Sequence, residues 1–195
     1  RPTREQAAAI FQGVEPLTLL WASNAWTHPI EDVDRHNPRP GLRRWIAVNR
    51  RVEHTSDWAA AWASVHHDGS VTLACAVGGR RDGPNSKASL NTIEGRTIEC
   101  AVSDVMGLIR SASSHFGTSE YEVRVGIEPS RGVGIPDPIV IRGADQHGFI
   151  YDGTSLRLAK YSPVNVTVTA DASDLDFYWQ VHDLARDCIN QGGLT

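Results

Sequence analysis

The residues best suited to holding an anion are Arg80, Arg81 and Lys87, in the run Gly78-Gly79-Arg80-Arg81-Asp82-Gly83-Pro84-Asn85-Ser86-Lys87. Glycines let successive backbone N–H groups converge, and the three cations add pairing charge. The glycine-lysine-serine/threonine order of a Walker A loop is missing, so the run reads equally as a solvated loop. A second cationic stretch holds Arg35, Arg39, Arg43, Arg44, Arg50 and Arg51 with no acid between them, and Trp45 in its middle. Arginine beside an aromatic grips phosphates and stacks on bases, which makes Arg43, Arg44, Arg50 and Arg51 candidates for nucleic-acid contact. The competing reading is an edge strand protected by charge.

Other chemistry is thin. His66 and His67 adjoin Asp68, but neighbours on a strand point to opposite faces and cannot easily share a metal ion. Asp68 is explained by the turn it forms with Gly69. His182 and Asp183 are neighbours on a helix and do not face each other, whereas Asp183 and Arg186 have ion-pair spacing. Cys75, Cys100 and Cys188 each lie in apolar surroundings, where a thiol packs as a small hydrophobe. Cys100 begins a helix, a place that favours a thiolate, but burial is the stronger expectation. The sequence therefore assigns no catalytic residue, no metal ligand and no cofactor. It leaves open an enzyme whose site is assembled from distant residues.

These residues are carried by a recognisable series of elements. Thr3 and Gln6 form a capping box for a helix ending at Gln12. Asn24 to Gly41 reads as a long proline-bearing loop. Leu42 to Arg51 reads as a strand with Trp45, Ala47 and Asn49 on one face. The Asp68-Gly69 pair predicts a hairpin with a two-residue turn, setting Trp62 opposite Cys75, Ser64 opposite Leu73 and His66 opposite Val71. A helix spans Gly95 to Phe116, with Glu99, Ser103 and Asp104 on its polar face, and Gly117 stops it. Tyr121 to Ile127 alternates as a half-buried strand. Short strands are expected at 139–142, 148–151, 156–158 and 164–169. Ser173 caps a last helix, about 174–191, with Leu175, Tyr178, Val181, Ala185, Cys188 and Ile189 as its stripe. The fold class is α+β: a mostly antiparallel sheet with two long amphipathic helices packed on one face.

The whole, 195 residues, fits a single domain. Its net charge of −4 argues against nucleic acid as a partner of this domain. No apolar run is long enough for a membrane span, and unpaired cysteines fit a reducing, cytoplasmic setting. Trp21 and Trp26 flank the proline-bearing loop, away from any periodic element. Aromatics in such places anchor partners, so they are interface candidates and predict a homodimer.

Three stretches, Ser70 to Gly79 (SVTLACAVGG), Glu120 to Glu128 (EYEVRVGIE) and His182 to Gly193 (HDLARDCINQGG), resemble the C-terminal region of actinobacterial Schlafen/AlbA-type ATP-binding proteins or DNA-binding transcriptional regulators. The resemblance implies that the chain is the C-terminal part of a longer protein. It implies an accessory role in ligand sensing, oligomerisation or partner binding, and it carries over no functional residue.

Overall fold

The computed structural model describes residues 1–15, 28–49, 61–77, 92–128, 139–141 and 160–192. Helix α1 (Arg4–Gln12) opens on the expected capping box, with the Thr3 and Gln6 side chains each bonding the other's backbone N–H. Within the stretch expected to be loop lie a 3-10 turn (Pro29–Glu31) and a short strand, β1 (Arg39–Gly41). Prolines hid both: Pro29 suits the first turn of a helix, and Pro40 suits an edge strand.

β1, β2 (Arg44–Val48), β3 (Ala61–His66) and β4 (Val71–Cys75) form one antiparallel sheet in chain order. The hairpin exists, but its register is one residue away from the expected one. Ala61 faces Cys75, Trp62 faces Ala74, Ala63 faces Leu73 and Val65 faces Val71. His66 N–H donates to Ser70 O, so the loop holds three residues, His67, Asp68 and Gly69. Gly69 has φ +90°, and Asp68 does not share the positive φ that a two-residue type I′ turn demands. The Asp68 carboxylate accepts instead from the Ser70 N–H and hydroxyl.

The slip decides which face is core. Trp45, Ala47, Ala61, Ala63, Val65, Leu73 and Cys75 share the inner face, packed with Ala7, Ile10 and Phe11 of α1 and with Ile30 and Val33. Helix α2 (Gly95–Phe116) covers this face through Leu108 and Ala112. A second core lies on the other flank of α2. There Ile98, Val102, Met106 and Ile109 meet Val123 of β6 (Glu120–Val125), Val168 of β8 (Val164–Thr169), and Phe177, Val181 and Leu184 of α3 (Asp174–Asn190). β6 and β8 pair antiparallel; β5 (Thr92–Glu94) and β7 (Ile139–Ile141) form a short parallel ladder. The chain is thus α+β, with two long helices and mainly antiparallel strands. No described helix is long and apolar enough to cross a membrane.

Candidate functional site

Arg39, Arg44, Ile46, Val48, Trp62, Ser64, His66, Thr72 and Ala74 make up most of the sheet face turned away from α2. Neither apolar core takes in a residue of that face. β2 is an interior strand, so Arg44 does not guard a sheet edge, whereas Arg39 lies on the edge strand β1. The Arg44 guanidinium lies over the Trp62 ring at 5.5 Å from its centroid. Arg44 pairs with His66, while Trp62 pairs with Val48, four residues along β2; cation and ring therefore lean toward each other along the face. His66 Nε2 lies 3.1 Å from the Ser64 hydroxyl and 3.4 Å from that of Thr72. Arg43, in the β1–β2 turn, is exposed with φ 53°. Slight desolvation, then the positive charges of Arg1 and Arg43, hold the nearby His67 below its ordinary value. None of Arg39, Arg43 and Arg44 forms an ion pair with a carboxylate among the described residues.

A buried pair joins distant parts of the chain. His28 Nδ1 lies 2.6 Å from Asp104 Oδ1, and Ile30 N–H donates to Oδ2 at 2.8 Å. Asp104 is fully buried. Its burial raises the carboxyl above the ordinary range, against the hydrogen bond and charge of His28. Burial disfavours the imidazolium of His28, but the hydrogen bond and charge of Asp104, with Glu31 and Glu99 adding, hold it above its ordinary value. Such a dyad is the orienting half of a nucleophilic triad. Here both carboxylate oxygens are committed to residues 28–30, so the pair ties that segment to α2. Sequence reasoning missed it: Asp104 was placed on a polar face, yet Glu99, Ser103 and Asp104 are all buried. The signal was the small residues Ser103, Gly107 and Ser111 beside it, which mark a helix approached closely on that side too.

The third feature is the outer surface of α3. Leu175 is 66% exposed and Trp179 51%, so Leu175 is not part of the buried stripe; Phe177 takes the core position instead. Tyr178, Trp179 and His182 form a cluster with ring centroids 5.3–6.4 Å apart. His182 Nδ1 and Asp183 Oδ1 do meet, at 3.2 Å, and Asp183 also pairs with Arg186 at 3.1 Å. An open polar cleft of about 410 Å³ lies between Arg110, Ser114, Thr118 and Asp171. Arg110 there already bonds Asp174 and Ala172 O and stacks on Phe177.

The expected anion loop with Arg80, Arg81 and Lys87, the tryptophans Trp21 and Trp26, and Arg50 and Arg51 lie outside the described residues. The strands expected at 148–151 and 156–158 do too. Among the described residues no group of three or more potential metal ligands gathers. No disulfide joins the three cysteines; Cys100 and Cys188 are buried and Cys75 half-buried. Burial pushes the Cys188 thiol up to about 11. No protein-family model matches the chain, and no curated protein or solved structure matches it.

Proposed function

We propose that this chain is an accessory interaction domain that self-associates as a two-fold dimer through α3. One observation carries the reading: a tryptophan and a leucine stand out from a well-packed helix, flanked by Tyr178 and His182. Large aromatics at such positions are the usual anchors of interfaces. Leu175, Trp179, His182 and Arg186 follow one helix stripe, and an antiparallel two-fold arrangement matches that stripe to itself. Trp179 then meets the partner's His182, and Leu175 meets the methylene stem of the partner's Arg186. The acidic first turn, Asp174 and Asp176, receives the partner's guanidinium, and antiparallel helix dipoles favour the same arrangement.

Light scattering at micromolar concentration tests it. The expected mass is twice the 21.3 kDa of one chain. Leu175→Asp with Trp179→Asp, both at exposed positions, is expected to give a folded monomer. A native chain that stays at 21.3 kDa at every concentration refutes the dimer.

A further inference from the structure

We propose that the outer face of the four-stranded sheet binds single-stranded nucleic acid, with Trp62 as a stacking platform and Arg39, Arg43 and Arg44 as phosphate contacts. The face has the two ingredients such a ligand requires. One is a half-buried aromatic ring on a rigid strand, its orientation already set by the guanidinium above it. The other is a row of cations without a carboxylate partner among the described residues, from exposed Arg39 through Arg44 to the turn at Arg43. Asp68, the acid within the hairpin turn, has its carboxylate turned into Ser70.

A duplex presents its bases edge-on inside a groove, and a half-buried ring in the middle of a sheet cannot reach them. An unpaired strand offers π-faces that stack on Trp62 while its phosphates run past the arginines. His66 and Thr72, both partly exposed, add imidazole and hydroxyl groups for the sugar–phosphate backbone, while Ser64 is fully buried. The net charge of −4 does not oppose this. Screening limits charge effects to about 10 Å at ordinary ionic strength, so the local cluster governs. The inference is independent of the dimer, because it uses the sheet and not α3.

The test is fluorescence anisotropy of a labelled oligothymidylate, about a dozen nucleotides long, titrated with the full chain at several salt concentrations. Binding is expected at low salt, with log affinity falling linearly as log salt rises. Arg39→Gln and Arg44→Gln are each expected to flatten that slope by about 0.7. Trp62→Leu is expected to cost roughly ten-fold at every salt concentration without changing the slope, as loss of one stacked base should. Trp62→Phe keeps a ring and is expected to keep most of the affinity, which separates lost stacking from a disturbed sheet. Absence of binding at low salt overturns the proposal. Equal affinity for heparin and duplex DNA, unaffected by Trp62→Leu, also overturns it and leaves a generic polyanion surface.

Discussion

At the scale of single residues, the strongest constraint is the carboxylate of Asp104. It accepts from an imidazole and from a backbone N–H while fully buried, so losing it strands two donors. Asp104→Ala is expected to cost about 3–5 kcal/mol, read as a shift in the denaturation midpoint. The pair also links stability to pH. An unfolded imidazole titrates near about 6.5, and folded His28 titrates above its ordinary value. The folded chain therefore holds this proton more tightly. Its contribution is complete below the unfolded value and is lost as pH rises through the folded one. Asp104, also raised, acts in the same sense: the folded chain gains as pH falls through its folded value. As pH rises above about 6.5, the midpoint of the native protein should fall more steeply than that of His28→Gln. Equal slopes would remove His28 from the account. None of this was legible in the sequence, because a long-range pair between a loop histidine and a helix carboxylate leaves no periodic trace.

Among the elements, end signals were legible and registers were not. Thr3 with Gln6, Ser173 with Asp176, and Gly117 in the left-handed region mark helix ends through local hydrogen bonds, and α1, α2 and α3 end within a residue of those marks. Asp68-Gly69 likewise announced a hairpin. The same dipeptide suits a two-residue or a three-residue loop, and only the core face separates them. A two-residue turn sets Trp62 opposite Cys75; in the structure Ala61 takes that place, and Ala61, Ala63 and Val65 are the residues that fit under α2. The helix itself is hemmed in on most sides. A Cβ added at Gly107 would lie 3.1 Å from Val14 Cγ1 and 3.3 Å from the Glu15 carbonyl oxygen, where the chain leaves α1. Gly107→Val is expected to push that segment away and cost roughly 1–3 kcal/mol in chemical denaturation, with Gly107→Ala costing less. A valine variant as stable as the native chain would show that the segment yields freely. The candidate sheet face was half legible: the arginine run and Trp45 named the strand, but Trp62 joins Arg44 only through the pairing of β2 with β3.

For the molecule as a whole, the two apolar cores share α2: Met106 belongs to one, and Leu108, two residues on, to the other. Val71 of β4 touches both. Met106→Ala and Leu108→Ala are each expected to cost about 2–5 kcal/mol. Both should shift one common transition when far- and near-ultraviolet dichroism are followed together. Separate transitions would show two independent halves. A wall common to two rooms also fixes the distance between them. With α2 about 33 Å long and gripped on both flanks, the sheet's outer face and the exposed Trp179 of α3 are held apart at a set spacing and angle. Were both proposed surfaces occupied, their two ligands would stand at that spacing, set by α2 and not by either ligand.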